Sequence, residues 1–77
     1  MPEARYFVSK NDDVWIIKYR EEEFGPYISQ AEAMMFAIEA AEKLGKQGVN
    51  PEVCLVGENG HFRTEWTYAP DASVGSM

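Results

Sequence analysis

Apolar and polar residues alternate from Arg5 to Ser9, from Val14 to Arg20, and again on both sides of Asn59-Gly60, which is the period-two pattern of half-buried strands. Between these regions the period lengthens. Met34, Ala37, Ile38, Ala41 and Leu44 recur at helical spacing, so the pattern predicts a helix running to about Leu44 with these residues as its buried stripe. Its start is marked by Ser29-Gln30-Ala31-Glu32, a capping box in which the Ser29 hydroxyl meets the Glu32 amide and the Glu32 carboxylate reaches back. Gly45 or Gly48 can end the helix by taking left-handed backbone.

The first two strands are joined by Lys10-Asn11-Asp12-Asp13, residues that stabilise turns through their own side chains. Folding there pairs Val8 with Trp15 and Tyr6 with Ile17, which puts Tyr6, Val8, Trp15, Ile17 and Tyr19 on one face. Arg5, Phe7, Val14, Ile16 and Lys18 take the other. Glu21-Glu22-Glu23 reads as a solvated turn, and Phe24–Ile28 as a short edge strand, because Pro26 cannot donate a ladder hydrogen bond. Asn59-Gly60 predicts a two-residue type I′ hairpin that sets Gly57 against Phe62, Leu55 against Thr64 and Val53 against Trp66. In that register Val53, Leu55, Phe62, Thr64 and Trp66 share a face, opposite Cys54, Val56, His61, Arg63 and Glu65.

The resulting expectation is an α+β fold of order β-β-β-α-β-β, an antiparallel sheet with one helix packed on one face. Residues 1–68 form a single domain, and residues 69–77, without periodicity, a disordered tail. The 77-residue chain is short for a self-sufficient core. Cys54 is its only cysteine and His61 its only histidine, which excludes an internal disulfide and a zinc cluster of the usual Cys/His kind. Oligomerisation is the remaining support.

A formal charge of -6 counts against nucleic acid as a partner, since phosphate backbones are repelled at long range. No apolar run approaches membrane length and no signal peptide opens the sequence, so the expectation is a cytoplasmic protein that does not engage a membrane.

Trp15-Ile16-Ile17, the Gly25-Pro26-Tyr27 strand, the alanine-rich helix and the closing segment from Gly57 through Asn59-Gly60-His61-Phe62-Arg63 to Tyr68 together resemble a family of short bacterial proteins. That family, the domain of unknown function DUF2188, shares a "W-x-V/I" strand, an "A-x-x-A" helix and a closing "D/N-G-x-[IF]-R…Y" hairpin. The likeness covers about residues 5 to 71. It implies a bacterial source and a ββ(β)αββ layout. It implies no activity, and no functional residue is carried over.

Chemistry-bearing residues are few. His61 belongs to the one side-chain type that titrates near neutrality, but only Glu58 and Glu65 are expected close by, and a solvated turn histidine is the simpler reading. Cys54, expected opposite Glu65, would have its thiolate disfavoured by the carboxylate. The runs Asp12-Asp13 and Glu21-Glu22-Glu23 lack the ligand spacing of a calcium loop. Met34, Met35 and Phe36 read as core or boundary packing. No catalytic residue, metal site or cofactor is expected.

One helix covers one sheet face, and the face with the larger apolar side chains is the one expected beneath it. The other keeps Phe7, Val14, Ile16, Lys18, Val56 and Arg63 as a candidate interaction face, with an apolar centre and a polar rim. The leading reading is a noncatalytic protein-interaction module that associates as a homodimer or with another protein. The alternative is a nucleic-acid-binding accessory protein that uses the same face with Arg5, Lys18 and Arg63 around Phe7.

Overall fold

A computed structural model describes residues 4–68 of the chain, so the expected tail at 69–77 lies outside the described residues. The elements are β1 (Ala4–Asn11), β2 (Val14–Tyr19), β3 (Glu22–Tyr27), α1 (Gln30–Lys46), β4 (Pro51–Val56) and β5 (Phe62–Thr67). This is the α+β order the hydrophobic pattern predicts. Both turns of the first three strands are tighter than expected. Asp12 and Arg20 take positive φ (60° and 58°), so Asp12-Asp13 and Arg20-Glu21 suffice to reverse the chain. Glu22 and Glu23 therefore enter β3, opposite Tyr19 and Lys18, and do not form a turn. In the first hairpin Val8 pairs with Ile17 and Lys10 with Trp15, two positions from the expected register. An even shift leaves every side chain on its predicted face.

The sheet order is β3-β2-β1-β4-β5. It is mixed, not wholly antiparallel, because β1 and β4 run parallel from Ala4 opposite Pro51 to Val8 opposite Leu55. The direction follows from the connections. Two hairpin reversals leave β3 pointing the same way as β1, and the helix carries the chain back to the starting end. The next strand must then run parallel to both, and it adds at the open edge of β1. The ladder is closed at its start by the Ala4 N–H donating to the Asn50 carbonyl (3.4 Å) and the Tyr68 N–H to that of Pro51 (3.4 Å).

The helix lies on the face of Tyr6, Val8, Ile17 and Val53. Its innermost row is Ala33, Ala37 and Ala41, all fully buried, with Met34, Ile38 and Leu44 partly buried beside it. Side chains this small let the helix axis approach the sheet closely, so that Val8 and Val53 lose all contact with water. Ser29 is the N-cap and its hydroxyl accepts from the Glu32 N–H (3.1 Å). The Glu32 carboxylate reaches back one residue further than in the standard box, to the Ile28 N–H (3.0 Å). At the other end Gly48, at φ 96°, turns the chain out of the helix. The Val49 N–H donates to the Leu44 carbonyl and the Gly48 N–H to that of Gly45, the paired bonds of a Schellman motif. Gly45 has a different task. It lies inside the last turn, against the ring of Tyr68, and a Cβ there would overlap that ring.

Two outcomes check these ends. Ser29→Ala strands a first-turn amide and should lower stability by about 1 kcal/mol, or about 4–8 °C in thermal midpoint for a domain of this size. Gly45→Ala sets helix propensity, worth about 1 kcal/mol in favour, against overpacking of about 1–3 kcal/mol. Urea denaturation should show Gly45→Ala destabilising in the native background and stabilising once Tyr68→Ala has removed the ring. The same sign in both backgrounds would refute the contact.

Candidate functional site

The second hairpin departs from the expected register, and the departure rebuilds the uncovered sheet face. Gly60 has positive φ (87°) but Asn59 does not, so the loop is not a type I′ turn. The Gly60 N–H donates to the Gly57 carbonyl (3.0 Å) and the Gly57 N–H to that of His61 (2.7 Å), which makes a three-residue loop of Glu58, Asn59 and Gly60. The Asn59 side chain also accepts from the His61 N–H (3.1 Å). One extra loop residue slips the register by one, pairing Val56 with Phe62, Leu55 with Arg63 and Cys54 with Thr64. A β-bulge between Val53 and Cys54 in the ladder, which leaves Glu65 unpaired on β5, then restores Val53 opposite Trp66.

An odd slip reverses faces. Phe62 and Thr64, expected beneath the helix, lie on the uncovered face with Cys54 and Val56. Arg63, expected on the uncovered face, is opposite Leu55 on the helix side and pairs with Glu65 across the bulge. The other residues expected there do share it: Phe7 opposite Lys18, Ser9 opposite Ile16, and Val14 at the end of β2. Phe7 is also the parallel-ladder partner of Cys54.

The centre of this face is built by contacts among β1, β4 and β5. Phe7 meets Phe62 edge-to-face, with centroids 5.1 Å apart and planes at 78°. The Arg5 guanidinium stands 5.8 Å over the Phe62 ring and donates to the Glu52 carboxylate at 2.7 Å. Glu52 is buried although charged. Besides Arg5 it accepts from the Thr64 hydroxyl (3.2 Å) and the Cys54 thiol (3.4 Å). Burying a carboxylate without such partners would be expensive, so these groups hold one another in place. The β2 half of the face is looser. Lys18 pairs with Glu23 at 3.8 Å, with both side chains largely exposed, which contributes little to stability. A shallow depression there is lined by Phe7, Ser9, Lys18, Arg20 and Val56.

Cys54 is fully buried beneath this network. Burial first, and the hydrogen bond to Glu52 second, push its thiol above the ordinary range. The disfavoured thiolate expected from the sequence is present, but the carboxylate responsible is Glu52 and not Glu65. His61, the residue that follows the loop, is exposed. Among the described residues no group of three or more His, Cys, Asp or Glu side chains is placed to hold a metal ion, and no helix is long and apolar enough to cross a membrane. The sequence signal that could have exposed Phe62 was Glu58: a loop of three residues ending in glycine is the next most common hairpin connection.

No family model, no curated protein and no solved structure matches the chain.

The geometry at Cys54 sets a pH dependence. The folded state holds the thiol proton more tightly than the unfolded chain, so the stabilisation is complete at neutral pH and is lost as pH rises through the raised value. Tyr6, raised chiefly by burial, acts in the same direction. Thermal midpoints should fall in alkaline buffer, and Cys54→Ser should flatten the part of that fall belonging to the thiol. Iodoacetamide at neutral pH should alkylate native Cys54 at least about a hundredfold more slowly than the urea-unfolded chain. Equal rates would show the thiol to be accessible.

Proposed function

We propose that this chain is a small noncatalytic interaction module that self-associates through the uncovered sheet face. The observation that supports the reading is a set of apolar side chains, exposed Phe62 and half-buried Phe7, Ile16 and Val56, that no helix covers, flanked by two ion pairs within the face, Arg5 with Glu52 and Lys18 with Glu23, and by Arg20 at its edge. A protein of formal charge -6 repels its own copies over most of its surface. A face without excess negative charge is where two copies can approach. At about 25 cal/mol per Å2 a patch of a few hundred Å2 supplies several kcal/mol before the entropic losses of association, which suits a weak dimer. The family resemblance belongs to this reading and brings no activity with it, and the single buried thiol suits a cytoplasmic setting.

Light scattering coupled to gel filtration tests it. The wild type should shift from monomer to dimer as its concentration rises, and no less readily at high ionic strength, which screens the repulsion between copies. Ile16→Glu should remain monomeric with unchanged circular dichroism, because it places a charge on the apolar surface of the β2 half of the face. Binding to single-stranded nucleic acid that weakens steeply with salt would favour the accessory-protein alternative. A wild type that stays monomeric at millimolar concentration would remove self-association.

A further inference from the structure

A second apolar surface lies at the seam between α1 and the edge strand β3. Two of the exposed large hydrophobic residues among those described face this seam, Phe24 (42% exposed) and Phe36 (43%). Phe36 stacks on Tyr27, centroids 5.2 Å apart, and the seam holds a half-open groove of about 160 Å3 between Phe24, Phe36 and the underlying Tyr6, Ile17 and Ala37. That is well below the size of pockets that take drug-sized ligands. It has room for a single large side chain.

The rim is acidic. Glu22, opposite Tyr19, lies two places before Phe24 on the same face of β3. On the helix, Glu32 and Glu39 stand one turn to either side of Phe36, and Lys43, the first cation along that face, stands two turns away. Neither Glu22 nor Glu39 has a salt-bridge partner among the described residues. Strand addition at this edge is disfavoured, since Gly25 and Pro26 form a bulge opposite Ile16 and proline offers no N–H. A second copy is disfavoured too, because an isologous contact would set this acidic rim against its own image. What fits is an apolar anchor flanked by positive charge.

We propose that the seam is a docking groove for a cationic segment of a partner protein, with one large apolar side chain inserted between Phe24 and Phe36 and neighbouring lysines or arginines directed at Glu22, Glu32 and Glu39. The groove is separate from the uncovered sheet face and does not require the protein to self-associate. The anchor supplies the affinity and the acidic rim selects for charge.

The test is a heteronuclear amide NMR titration of the full chain with the capped pentapeptide Gly-Lys-Leu-Lys-Gly at millimolar concentration. Saturable shifts are expected at Phe24, Tyr27, Phe36 and Ala40 and not at Phe7, Ile16 or Val56. Replacing the peptide leucine by alanine should abolish them, and replacing its lysines by glutamates should weaken binding by about tenfold or more. Ala40→Leu, which fills the groove, should remove the response. If that variant fails to fold, the surface variant Glu39→Lys decides instead, by weakening the lysine peptide alone. Absence of saturable shifts, shifts confined to the uncovered sheet face, or equal binding of the glutamate peptide would overturn the proposal. So would seam shifts produced by concentrating the protein alone. None of these results bears on self-association through the other face, which gel filtration reads separately.

Discussion

The parallel ladder between β1 and β4 joins two segments that the helix and two hairpins keep far apart in sequence, and the remaining architecture depends on it. Without it the sheet separates into a three-stranded piece and a lone two-stranded hairpin, which is marginal in water by itself. The helix supports the junction from one side. Ala33, Ala37 and Ala41 lie against Val8 and Val53, one valine from each half, so the best-buried contacts of the molecule span the join. From the other side Glu52 of β4 accepts from Arg5 of β1 and Thr64 of β5. The same pair of strands is thus held by apolar contact above and by charged hydrogen bonds below.

Much of this was legible in the sequence, and the limits of that legibility have a physical form. Strand, helix and cap positions came from local periodicity and side-chain chemistry, and they hold because the core enforces them. Turn lengths were less legible, since Asp12 and Arg20 accept left-handed backbone with no glycine to announce it. Parity then decided what the misreadings did. Two residues of slip in the first hairpin changed partners and no faces. One residue in the second moved Phe62 and Thr64 to the uncovered face and Arg63 to the helix side, until the bulge at Glu65 corrected Trp66. The choice of β1 as the neighbour of β4 was not legible at all, because it depends on contacts between distant segments.

The candidate surfaces divide along the same line. The sheet face was visible as a pattern of alternate residues, and most of its expected members share it. The helix seam was not, because Phe24 and Phe36 come from different elements and line one groove only in the folded molecule. The molecule therefore presents two apolar areas of different electrical character. One carries its ion pairs within the face, and the other is rimmed mainly by carboxylates.

The bonds at the start of the parallel ladder also have a mechanical consequence. Ala4 and Tyr68 donate to adjacent carbonyls, those of Asn50 and Pro51, so the two ends of the described chain leave the sheet at one corner. A pull that separates those ends loads the β1–β4–β5 ladders a bond at a time, as in opening a zipper, instead of shearing them together. A domain tethered by both ends would yield at low force despite a well-packed core. Placed within a loop of a larger protein, it would hinge about that corner.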